Sequence, residues 1–130
     1  MIQMGTILKV MDNSGGVLCK CIKVYKKKIG IIGDKILVTV RKIKSKKNAL
    51  NVTSSRITVE NHVMYKALIL QTKQGFIRRD GRKIRFNKNS VILLTRLQEK
   101  FIGTRIYGNV VKEFRNKKYV KLIMLSSKLI

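Results

Sequence analysis

Residues 35–41, Lys35-Ile36-Leu37-Val38-Thr39-Val40-Arg41, decide the fold class. Ile36, Val38 and Val40 fall at every second position, with Lys35, Leu37, Thr39 and Arg41 between them. Side chains alternate faces along a strand, so this spacing gives one β-branched face and one mostly polar face. The same rule applies on both sides of this stretch. Residues 6–10, 17–25, 63–72 and 91–97 read as further strands, and 63–72 is the most apolar. In 17–25 the alternation groups Leu18, Ile22 and Val24 on one face and Cys19, Cys21 and Lys23 on the other. Asp12-Asn13-Ser14-Gly15-Gly16 and Gly30-Ile31-Ile32-Gly33-Asp34 are turn signals, because Asp and Asn bond their own backbone and Gly accepts positive φ.

The sharpest local signal is Phe76-Ile77-Arg78-Arg79-Asp80-Gly81-Arg82-Lys83-Ile84-Arg85-Phe86. Asp-Gly between alternating runs is a type I′ hairpin signature. A two-residue loop there pairs Ile77 with Ile84 and Arg78 with Lys83. It puts Phe76, Arg78, Lys83 and Arg85 on one face and leaves Arg79 and Arg82 flanking the tip. Like charges opposite each other destabilise a ribbon, so an anion is expected beside it. Residues 42–58, with Lys42, Lys44, Lys46, Lys47 and Arg56 among Ser, Asn and Thr, read as a long basic loop or ribbon. From Gly103 the period changes. Thr104 is placed to cap a helix over about 105–115, where Ile106, Val110 and Phe114 recur at i, i+4 and i+8. Glu113 and Lys117 add an i, i+4 pair. Residues 119–125 read as a last helical turn or a strand, and Val120, Ile123 and Met124 fit the helix better.

Strands first and helices last describe an all-β protein with a small helical appendage. Residues 1–130 read as a single domain. Residues 1–100 hold a five-stranded β-barrel, with the hairpin at 75–86 projecting and the basic loop at 42–58. Residues 101–130 form a C-terminal element of short helices. Closure into a barrel removes exposed strand edges.

The charge narrows the function. Of 130 residues, 30 are Lys or Arg and 6 are Asp or Glu, giving +24. Self-repulsion on that scale calls for a polyanionic partner, nucleic acid first. An apolar share of 45% argues against disorder. Aromatics are only 6%, too few for a single-strand stacking platform, which points to folded RNA read through shape and phosphate. The acids are dispersed, and Asp12, Asp34 and Asp80 each lie in a turn. No catalytic motif is present, so the chain reads as a non-enzyme. The rival is a nuclease whose carboxylates, Asp34 and Asp80 among them, converge in space. Cys19, Cys21 and the lone His62 read as packing and surface residues rather than metal ligands. No apolar run approaches the roughly 20 residues of a membrane span. The opening residues resemble neither a signal nor a transit peptide. Pro and Trp are both absent while Ile, Lys and Asn abound, as AT-rich coding would give.

The chain resembles the universal large-subunit ribosomal protein number fourteen. The resemblance rests on Met1-Ile2-Gln3, Asp12-Asn13-Ser14-Gly15, Cys21-Ile22-Lys23-Val24 and Gly33-Asp34. Further along it rests on Ala67-Leu68-Ile69-Leu70, Asp80-Gly81, Phe86, Asn89, Ile92 and residues 102–108, Ile-Gly-Thr-Arg-Ile-Tyr-Gly. It implies large-subunit rRNA as partner; the charge of the hairpin and basic loop makes Arg41, Lys44, Lys46, Lys47, Arg78, Arg79, Arg82, Lys83 and Arg85 the expected phosphate contacts. The resemblance implies an intersubunit bridge to small-subunit rRNA and a neighbour, ribosomal protein nineteen. Thr104, Arg105 and Lys121 match the surface offered to a ribosome-silencing factor. No cofactor is expected, with Mg²⁺ only as an rRNA counterion. Departures stand at Val17 and Leu18, where two arginines are usual, at Asn109, where a proline is usual, and around 44–66, where the chain is longer. With the coding bias they favour a mitochondrial ribosome, the alternatives being a plastid or the bacterial cytoplasm. The rival reading is a free-standing RNA-binding barrel acting off the ribosome.

Overall fold

A computed structural model describes residues 1–44, 59–95, 99–115 and 119–130. Five strands close a barrel in the order β1 (Ile7–Val10), β2 (Gly16–Val24), β3 (Lys35–Ile43), β4 (Met64–Gln71) and β7 (Ser90–Leu94). Neighbours run antiparallel except at the seam, where β1 meets β7 in parallel through Lys9–Ser90 and Val10–Val91. The alternation at 35–41 holds: Ile36, Val38 and Val40 are buried against Leu8, Ile69 and Leu93. The strand continues to Ile43, so Lys42 belongs to the barrel rather than to a loop. The rest of the 42–58 reading beyond Lys44 lies outside the described residues.

Strand β2 keeps the expected faces as far as Ile22 and exchanges them at Lys23 and Val24. Cys19 and Cys21 point into the barrel, and Leu18 and Ile22 are only half-buried. The register shifts between Cys21 and Lys23, a bulge that restores Val24 to the interior and leaves Lys23 outside. The two thiols are therefore core packing. Burial, with smaller contributions from Cys21 and Asp12, pushes the Cys19 thiol up to about 12.

β4 and β7 are buried on both faces, which explains their unbroken apolar runs. Their inner residues fill the barrel. Their outer residues, Leu68, Leu70, Ile92 and Leu94, form a second core with Val110, Phe114 and others of the C-terminal element. That element is not the expected helix over 105–115. Ile106–Val110 is a strand, β8, followed by a 3₁₀ turn at Lys112–Phe114. β8 pairs in parallel with β9 (Ser126–Leu129), and Gly108 takes φ +124°, outside any right-handed helix. The error has a simple cause. An i, i+4 spacing returns to the same face in a strand as well as in a helix, so burial of Ile106 and Val110 fits both. Residues 119–125 do supply a helix, α1 (Val120–Leu125), anchored by buried Leu122.

Candidate nucleic-acid interface

The hairpin forms from β5 (Phe76–Ile77) and β6 (Lys83–Ile84), but one residue out of the expected register. Phe76 pairs with Ile84 and Ile77 with Lys83. The Arg78 N–H donates to Arg82 O at 2.9 Å, and Gly81 N–H to Arg78 O at 3.0 Å. The loop is thus the three residues Arg79-Asp80-Gly81, with Gly81 at φ +80°. Asp80 Oδ1 accepts the Arg82 N–H at 3.1 Å and fixes the turn. Asp-Gly also serves this three-residue geometry, so the dipeptide alone did not select the loop length. A one-residue slip exchanges faces: Phe76 now shares its face with Ile84, and Lys83 shares the other with Ile77. Gly75 seals the stem at φ +70°, where a Cβ would sit 1.8 Å from Ile84 O.

This register turns Arg78 inward. Its guanidinium makes a two-pronged bond to the Glu113 carboxylate and donates to Ile130 O at 2.8 Å, leaving 12% of the side chain exposed. Arg78 clamps the hairpin to the C-terminal element. Arg79, Lys83 and Arg85 remain exposed. Arg82 is 80% exposed even though it pairs with Asp80 at 2.9 Å. Lys83, Arg85 and Lys88 edge an open groove of about 500 Å³ that runs past Gln71 to Asn109.

Burial raises the Glu113 carboxyl, but the Arg78 bond, a backbone bond and the Arg78 and Lys112 charges together outweigh it and hold the group below its ordinary 4.5. The bond from the Arg82 backbone lowers Asp80 as well. A carboxyl whose folded pKa is depressed adds stability above its unfolded value, and that stability is lost as pH falls through the folded value. Hairpin amide protection is therefore expected to hold at pH 7 and to decline below about pH 4. Glu113→Gln should weaken it already at pH 7, which hydrogen exchange would read. Wild-type protection in that variant would mean the clamp contributes nothing.

A second group gathers at one end of the barrel. Asn13 Oδ1 accepts from the Thr104 N–H at 2.7 Å and the Arg105 N–H at 3.2 Å, and its Nδ2 donates to Thr104 Oγ1 at 2.8 Å. The Lys44 N–H donates to Gly15 O at 2.9 Å, and its ammonium lies 5.6 Å from the Tyr107 ring centre. Thr104 does not cap a helix; it is tied to the turn between β1 and β2. Lys44, Thr104 and Arg105 thus share one exposed end, and Lys121 is exposed on α1. Arg41 is exposed on β3, while Lys46 and Lys47 lie outside the described residues. Asn13 and Tyr107, which organise this end, carried no functional weight in the sequence reading. The turn signal at 12–16 was the available clue.

Five of the six acids are committed to structure. Asp12 is buried and accepts from backbone and Ser14. Asp34 pairs with Lys27 at 3.3 Å, and Glu99 with both Lys35 and Lys66. Among the described residues no three acids, cysteines or histidines gather where a metal could bind, and no helix is long and apolar enough to cross a membrane.

The ribosomal protein L14p/L23e family matches residues 1–130. The large ribosomal subunit protein uL14 of the bacterium Carsonella ruddii (strain PV) is 42% identical over 135 residues, covering 100% of both chains. With a match that spans every strand of the barrel and the C-terminal element alike, the chain belongs to the ribosomal protein L14p/L23e family, a structural and non-enzymatic part of the large ribosomal subunit.

Proposed function

We propose that the chain binds large-subunit rRNA through the exposed hairpin cations Arg79, Arg82, Lys83 and Arg85 and through Arg41 and Lys44. One observation carries this reading. Of six acids against thirty bases, four are ion-paired and one is buried in backbone bonds, so the surplus charge is left for an external polyanion. The mechanism is neutralisation and positioning of folded RNA by a rigid barrel, with Mg²⁺ entering only as a counterion of that RNA. In the same reading the chain stands at the intersubunit interface, beside ribosomal protein nineteen and bridging to small-subunit rRNA. Thr104, Arg105 and Lys121 face a silencing factor, and their exposure supports that role. The family match does not favour the off-ribosome alternative. A mitochondrial ribosome rests on the sequence departures and the coding bias, whereas the bacterial relative supports the bacterial-cytoplasm alternative.

Sedimentation tests the reading. The protein is expected to co-migrate with large subunits through moderate salt, and its absence from them would overturn the proposal. Arg79→Ala with Arg82→Ala should reduce incorporation. It should also flatten the dependence of log affinity on log salt by about two units or less. An unchanged slope would mean the tip does not touch phosphate.

A further inference from the structure

The second core contains a space that its own side chains leave unfilled. Between the turn that precedes β3, the hairpin stem and the C-terminal element lies a half-open cavity of about 230 Å³. Ile31 and Ile32 line it from the turn, Phe76 from the stem, and Val111 and Phe114 from the C-terminal element. Each side is held by its own bonds. The Gly33 N–H donates to Ile69 O at 2.9 Å and the Ile31 N–H to Asp34 Oδ2 at 3.0 Å, which fix the turn. The Phe86 N–H donates to Thr72 O at 3.3 Å across the base of the stem. The Phe114 N–H donates to Val111 O at 3.3 Å within the 3₁₀ turn. The space is therefore pre-formed, as small-molecule sites usually are.

Size and lining define what fits. A dry apolar cavity of about 150 Å³ holds benzene, and this one is about half as large again, which suits a fused two-ring molecule. Glu113 is the polar side chain of the lining. Arg78 takes one bond on each of its carboxylate oxygens, and each oxygen accepts a second. The carboxylate thus offers an acceptor at the edge of an apolar space. Its charge is already answered by Arg78, so a neutral N–H or O–H suits it better than a second cation. An anionic guest would face that carboxylate and apolar walls. The surroundings also favour a free molecule over a side chain from a protein partner. Lys112 beside Val111 and Lys28 before the turn are exposed, and a protein laid over the mouth would strip them of water.

We propose that this cavity binds one small, uncharged aromatic molecule of indole's size, its rings between Ile31, Phe76 and Phe114 and its N–H or O–H on Glu113. The inference goes beyond rRNA binding and does not depend on it. Such a guest would touch three elements that are far apart in the chain. It would fasten the hairpin stem to the C-terminal element from the apolar side, as the Arg78–Glu113 pair does from the polar side.

The test is an NMR titration of the isotopically labelled full chain with indole. Amides at 31–32, 75–76 and 111–114 are expected to shift and saturate, with a Kd on the order of 0.1–1 mM for so small a ligand. Ile31 is half-exposed at the rim, so Ile31→Trp places a ring in the cavity from the chain itself and should weaken indole binding at least about tenfold. Ile31→Phe fills less of the space and should weaken it by a smaller factor. Met64→Trp adds the same ring at the far end of β4, where Met64 is also exposed, and should leave the affinity unchanged. Indene keeps the shape of indole without the N–H and should bind about fivefold more weakly. Absence of saturating shifts at the lining amides would overturn the inference, as would full indole affinity in both Ile31 variants. Equal affinity for indene would overturn the assignment of Glu113 as the acceptor.

Discussion

Asp12→Ala is expected to destabilise the protein by about 3–5 kcal/mol, a large part of what a domain this size possesses. The carboxylate is 3% exposed. It accepts the Ser14 N–H at 3.0 Å and the Ser14 hydroxyl on Oδ1, and the Leu93 N–H at 2.9 Å on Oδ2. Alanine leaves two backbone donors without an acceptor in a dry setting, and a buried unpaired donor costs about 1–3 kcal/mol. The loss extends beyond one turn. Asp12 also forms a backbone bridge to Ile106, and Gly103 packs so closely that a Cβ there would come within 2.6 Å of Asp12 Cβ. One side chain thus joins the β1–β2 turn, β7 and the start of β8. Asp12→Asn keeps one acceptor oxygen and presents a donor in place of the other, so its cost should fall between wild type and alanine. Urea unfolding midpoints would measure both. A change under about 1 kcal/mol for alanine would show that water takes over the bonds.

Phe114→Ala is expected to cost about 3–5 kcal/mol as well, but in a different place. Phe114 is buried and meets Tyr119 edge-on, ring centres 6.1 Å apart. Beside it lies an apolar cavity of about 230 Å³ lined by Ile31, Ile32, Phe76 and Val111, which truncation would enlarge. The ring belongs to the second core, outside the barrel. The expected result is therefore selective loss of hydrogen-exchange protection. Amides of β8, α1 and the hairpin should open while β2 and β3 stay protected. Uniform loss across the barrel would show that the two cores unfold as one unit. Asp12→Ala, which acts where the two cores meet, should give that uniform pattern.

The contrast between these residues shows which features the sequence could reveal. Ile36, Val38 and Val40 were legible because period two on a half-buried strand has no helical equivalent. Ile106, Val110 and Phe114 were not, because their spacing satisfies both periods and only the pairing with β9 decides between them. The bulge after Cys21 moved Val24 away from the face of Leu18 and Ile22 and onto that of the two cysteines, since one extra residue exchanges inside and outside beyond it. In the hairpin, Asp80-Gly81 announced a turn but could not say whether two or three residues form it. That single residue decided whether Arg78 would face solvent or Glu113. Their ion pair links positions 35 apart, a separation at which no local pattern operates. Exposed cations such as Arg79, Lys83 and Arg105 were easier, because an unpaired base on a chain with so few acids has little choice but the surface.

The parallel seam has a consequence for how the molecule is made. Every other pairing in the barrel joins strands that meet as the chain lengthens, each closing onto the sheet already built. β1 alone must wait, because its partner is about 81 residues downstream, as the bond from Leu93 to Asp12 records. A chain cut short before β7 is therefore expected to carry at most a four-strand sheet with a missing wall. Closing so long a loop adds little entropy beyond a shorter one, so the delay is set by synthesis rather than by thermodynamics. Cys19 and Cys21 keep time for this event. In an open sheet their thiols are expected to meet solvent; in the sealed barrel they are buried and, at Cys19, held firmly protonated. The moment at which a pulse of alkylating reagent stops labelling them is the moment the barrel becomes a barrel.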